Sequence, residues 1–143
     1  MQEDVMKRKI TGWVLLMLLL SCLLCGCGVG AVKTEKIRDV DYTVLESEEI
    51  PDDLLVMIEE KKQGEFKLTY QEDGYLYIAR GYGMQETGGY SIQVDDLYLT
   101  ENAVCFGATL IGPKKEEHPQ AAVSYPYVVV KTEGVDKTVV FEN

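Results

Sequence analysis

Asp73-Gly74, with EFKLTYQE before it and YLYIARGY after it, narrows the folds open to this chain more than any other stretch. An Asp-Gly pair between two runs of aromatic and branched residues supplies the backbone of a two-residue hairpin turn. With that loop Glu72 faces Tyr75, Tyr70 faces Tyr77 and Leu68 faces Ala79. Phe66, Leu68, Tyr70, Tyr77 and Ala79 then share one face. Downstream, YSIQVDDLYLT alternates through Tyr90, Ile92 and Val94, then loses phase at Asp95-Asp96, where Leu97 and Leu99 take over. A β-bulge there would restore the inward face. AVCFGATLI, YVVVKT and TVVFE continue the pattern. VDYTVLE opens it near Val40, with Val40, Tyr42 and Val44 on one face.

One helix is expected, over IPDDLLVMIEEKKQG. Pro51 suits its first position, Asp52 and Asp53 complement the positive end of the dipole, Lys61 and Lys62 the negative end, and Gly64 closes it. Leu54, Leu55, Met57 and Ile58 form a stripe that packs on something flat. The expected fold is mainly β (α+β), an antiparallel sheet or sandwich of about seven strands with one N-terminal packing helix. The strands are expected to be mostly antiparallel, because only the helix offers a crossover long enough for a parallel pair.

Residues 1–26 are set apart from this pattern. Lys7, Arg8 and Lys9 precede the apolar run ITGWVLLMLLLSCLL, and CLLCGCG ends it. A run of about 15 apolar residues is short for a bilayer core of roughly 30 Å and has the layout of a secretory signal. Leu24-Cys25-Gly26-Cys27 resembles the lipobox of bacterial lipoproteins. That resemblance implies cleavage before Cys27, attachment of diacylglycerol to its sulfur and an extracytoplasmic chain anchored to the membrane. Cys22, after Leu19-Leu20-Ser21, is a second fit that leaves a shorter apolar run upstream. Cys22 and Cys25 would depart with the signal, so a thiolate metal site, which their spacing alone suggests, lacks a second ligand pair. No metal and no cofactor are expected.

Residues 27–39 read as a flexible tether, able to reach roughly 20 Å as a random coil, and 40–143 as a single β-rich domain. Of the 14 basic and 24 acidic residues the leader holds three and two, leaving 11 and 22 and a formal charge near −11. Such a surface disfavours nucleic acid and anionic lipid headgroups, which reward positive patches. Cys105 is the only cysteine after Cys27, so the core must hold without disulfides.

No catalytic set assembles. GxSxG, GxxxxGK[ST], HExxH and the EF-hand loop are absent from the sequence. His118, the only histidine, lies in the Pro-bounded stretch PKKEEHPQ, and Cys105 lies mid-strand, where it reads as a small buried hydrophobe. Asp95 and Asp96, being neighbours on a strand, point apart.

ARGYGMQETGGYSI crowds Gly81, Gly83, Gly88 and Gly89 between two strands, where positive φ or a close backbone approach is required. Gln85-Glu86-Thr87-Gly88-Gly89-Tyr90-Ser91-Ile92, together with Tyr125-Pro126-Tyr127-Val128-Val129-Val130, resembles the PrcB C-terminal domain family over about residues 64 to 132. PKKEEHPQAA stands where a longer basic-polar loop would be expected. The family takes its name from a lipoprotein subunit of a surface protease complex, needed for the stability of its protease partner and not itself regarded as a peptidase. The resemblance implies a non-enzymatic lipoprotein that binds or stabilises an exported protein partner. Thr87-Gly88-Gly89-Tyr90 reads as a tight turn or as a partner-binding loop, with Tyr82 and Tyr90 as exposed anchors and Gln85, Thr87, Tyr125 and Tyr127 beside them. A second reading is a binder of small ligands, peptide or glycan, stacking on Tyr75, Tyr82, Tyr125 or Tyr127.

Overall fold

The computed structural model describes residues 3–8 and 35–142. Residues 3–8 are helical. Cys22, Cys25, Cys27 and most of the expected tether lie outside the described residues. Residues 35–142 form one compact body.

Its strands are β1 (Arg38–Asp39), β2 (Thr43–Val44), β3 (Glu65–Glu72), β4 (Tyr75–Tyr82), β5 (Ser91–Leu99), β6 (Ala103–Ile111), β7 (Tyr127–Glu133) and β8 (Thr138–Glu142). Helix α1 (Asp52–Lys61) lies between β2 and β3. One sheet has the order β1-β5-β6-β8 and the other β2-β7-β4-β3. The fold is mainly β.

The hairpin has the expected register, with Glu72 opposite Tyr75, Tyr70 opposite Tyr77 and Leu68 opposite Ala79. Asp73 and Gly74 hold φ of 50° and 80°, the two positive values that a type I′ turn needs. Tyr70 and Tyr77 meet at 6.1 Å between ring centroids. The bulge is also in place, since the pairing of β5 with β6 slips between Val94 and Asp96. Asp95, the extra residue, turns its carboxylate to Gln93 Nε2 at 2.9 Å and Thr109 Oγ1 at 2.6 Å.

β4 explains why the run YLYIA does not alternate: it is buried on both faces. Leu76 and Ile78 join Val128 and Val130 of β7 against Leu97, Leu99, Val104 and Phe106 of the other sheet. Tyr77 and Ala79, with Val129 and Phe66, face the helix, which inserts Leu54 and Ile58. Each of those two helical side chains, fully buried, contributes about 1.5–3 kcal/mol. Pro51 stands one place earlier than expected, at the N-cap, and the Lys62 N–H closes the helix on the Ile58 carbonyl at 2.8 Å.

Two expectations are corrected. VDYTVLE is not one strand. β1 pairs with β5 and β2 with β7, so the chain crosses between the sheets around Val40, which plugs the core while Tyr42 and Val44 are exposed. Residues assigned to the tether take part, Ile37 N–H donating to the Leu99 carbonyl at 2.7 Å. Second, β6 and β8 pair in parallel without any helix between them. Residues 112–137 make the crossover by passing through the opposite sheet as β7, which a sandwich permits and a single sheet does not.

Candidate functional site

At one end of the sandwich the connection 83–90, between β4 and β5, meets the connection 112–126, between β6 and β7. The β4–β7 ladder continues into them. Tyr82 N–H donates to the Pro126 carbonyl at 3.1 Å, and Gln85 and Ser124 exchange backbone bonds of 2.8 and 3.0 Å as an isolated antiparallel bridge. Further along, Ser124 Oγ donates to the Thr87 carbonyl at 2.7 Å and Gly88 N–H to the Gln120 carbonyl at 3.2 Å. Gln85 Nε2 donates back to the Tyr82 carbonyl at 3.2 Å. Backbone bonds thus tie the two loops into one surface.

Gly89 shows why the sequence needs glycine here. Its φ is +83°, and a Cβ would lie 3.0 Å from Cβ of Pro113. Gly88 has neither constraint, with open space where its side chain would be. The strained position expected of the pair belongs to Gly89 alone.

Alternation about the Gln85–Ser124 bridge puts Met84, Glu86, Val123 and Tyr125 on its other side. Met84 and Val123 are 52% and 57% exposed, so two large apolar side chains stand in solvent there. Lys62, at the end of α1, lies over the Tyr125 ring at 5.3 Å from its centroid. The Lys62 ammonium is held above its ordinary pKa, first by its hydrogen bond to Glu59.

The tyrosines singled out from the sequence do not converge. Tyr82 was expected to be exposed. It is half-buried on the inner face of β4, its hydroxyl donating to the Ala108 carbonyl at 2.6 Å and its ring lying under the Arg80 guanidinium at 4.9 Å. Tyr127 packs with the helix cluster, 6.4 Å from the Phe66 ring. Tyr90 is half-buried beside Gly112, whose Cβ would lie 3.5 Å from its ring. Gln85 and Thr87 do meet, through Ser124. Sequence reasoning missed Ser124 and Gln120, because single polar residues in a loop have no periodicity to mark them.

Cys105 is a free thiol buried in the middle of β6, and His118 is exposed in the loop 112–126. The exposure a nucleophilic Cys105 needs is missing. Among the described residues no group of three or more His, Cys, Asp or Glu side chains is arranged to hold a metal ion.

No curated protein and no solved structure matches the chain. Residues 76–133 match the model of the family described as PrcB C-terminal. That stretch runs from β4 to the end of β7 and contains both loops, so the part of the chain that is similar to the PrcB C-terminal family includes the whole of this end of the sandwich.

Proposed function

We propose that the protein is a non-catalytic lipoprotein, anchored outside the cytoplasm through a diacylglyceryl group on Cys27, that binds or stabilises another exported protein through the joined loops 83–90 and 112–126. A protease is the first partner to test, given the complex from which the family takes its name. The observation that carries the reading is the family match across both loops. The placement of the chain's N-terminal side supports it. Residues 35–37 meet the body beside Leu99, and β5 separates that point from the loops by about 26 Å at 3.3 Å per residue.

The test has two parts. Cys27→Ser should abolish labelling by a fatty-acid probe and leave the leader attached, whereas Cys22→Ser should do neither; the reverse pattern would move the lipidation site. A photo-crosslinker at Met84 or Val123 in cells should capture one and the same exported protein, and one at Asp73, on the hairpin turn, should not. The captured protein should also fall in abundance when the lipoprotein is deleted. Capture from Asp73 alone would place the binding surface elsewhere.

A further inference from the structure

An open groove of about 400 Å³ lies away from the loops, between β2, the turn at 47–49 and the strands β4 and β7. That volume is within the range of roughly 300–1,000 Å³ common for small-molecule sites. The residues that line it include Tyr42 and Tyr75, the acidic Asp41, Glu49 and Glu133, and the basic Lys131. Register explains much of the grouping. Tyr75 lies opposite Glu133, and Lys131 lies between Thr43 and Tyr77. The two rings are 40% and 41% exposed, unlike Tyr77, which the core takes up.

The chemistry of the lining selects among occupants. Three carboxylates against one ammonium repel an anion. A cation would be drawn to an electron-rich ring face, but Lys131 Nζ already lies 3.9 Å from the Tyr75 centroid and 5.7 Å from that of Tyr77. A second cation would have to displace it. A neutral ligand with an apolar face and many hydroxyls can leave Lys131 where it is. Its C–H face would lie on Tyr42 and on the part of Tyr75 that Lys131 leaves exposed, its hydroxyls would donate to the carboxylates of Glu49, Glu133 and Asp41, and its oxygens would accept from Lys131.

We propose that this groove is a binding site for a short neutral saccharide. The inference stands apart from the partner-binding loops, since it uses other residues on another part of the molecule.

Calorimetric titration of the purified full chain in detergent with maltotriose, cellotriose and chitotriose tests it. At least one should bind saturably, with an affinity unchanged between low and high salt because the ligand carries no charge. Tyr75→Ala and Glu133→Gln should each weaken that binding by about tenfold while the melting temperature holds. Should Tyr75→Ala fail to fold, Tyr42→Ala takes its place with the same expectation. Absence of binding by all three saccharides overturns the proposal. So does binding that survives both substitutions, or a preference for spermidine with a steep loss in salt.

Discussion

The Tyr82 hydroxyl donates to the carbonyl oxygen of Ala108 at 2.6 Å, bridging β4 of one sheet and β6 of the other. Tyr82 therefore carries stability, where the sequence alone suggested an exposed anchor whose loss the fold would not feel. Tyr82→Phe keeps the ring and strands a half-buried carbonyl, so it should lower unfolding stability by about 1–2 kcal/mol. Tyr82→Ala should cost more, because the ring leaves as well. Denaturant titration measures both, and a Phe variant as stable as the parent would show that the bond contributes nothing net.

Gly88 and Gly89 should respond differently although they are adjacent. At φ +83° a side chain costs roughly 1–2 kcal/mol in backbone strain, and a Cβ at Gly89 also crowds Pro113. Gly89→Ala should thus lower the melting temperature clearly, while Gly88→Ala should be close to neutral. Equal effects would mean that the loops shift to relieve the contact. If the two loops form the partner surface, Gly89→Ala should also reduce cross-linking from Val123.

What the sequence disclosed and what it hid divide along the range of the contacts. The Asp73-Gly74 turn, the Tyr70–Tyr77 pairing and the Asp95 bulge follow from neighbours or from one strand against the next, and each was legible. The parallel pairing of β6 with β8 depends on residues 112–137 visiting the other sheet, which no local pattern records. VDYTVLE alternates in the same way whether it serves one sheet or two; only the seating of Val40 in the core between the sheets divides it. At the candidate site Gly89 could be suspected from composition, but the inward aim of Tyr82 depends on the stacking of the two sheets.

Alkaline pH should destabilise the domain. Tyr98 titrates above its ordinary value, first because its hydroxyl donates to Glu142 at 2.7 Å and then through Cys105. Tyr70 is raised mainly by desolvation, and Lys36 mainly by its hydrogen bond to Asp39. Each group holds its proton more tightly folded than unfolded. Their contribution is fully present below the unfolded values, about pH 10, and is lost as pH rises through the folded ones. Melting temperature should therefore fall above about pH 10, with Tyr98→Phe showing a shallower decline. An identical profile for the two proteins would remove Tyr98 as a cause.

Cys105 offers a readout of the outer face of the first sheet. It is 4% exposed although α1 packs on the other sheet, because Tyr98 and Val140 flank it across the ladder. If Cys27 carries the proposed lipid its sulfur is blocked, and a water-soluble maleimide should then leave native Cys105 unmodified and react after denaturation. Tyr98→Ala removes the shield on one side and the bond to Glu142 with it, so labelling should become fast under native conditions while the β-sheet circular dichroism persists. Cys105→Ala supplies the background. Rapid labelling of the parent would mean that β8, paired only along its β6 edge, opens readily from the sheet, and the protection of Cys105 would then report that opening and not the Tyr98 ring.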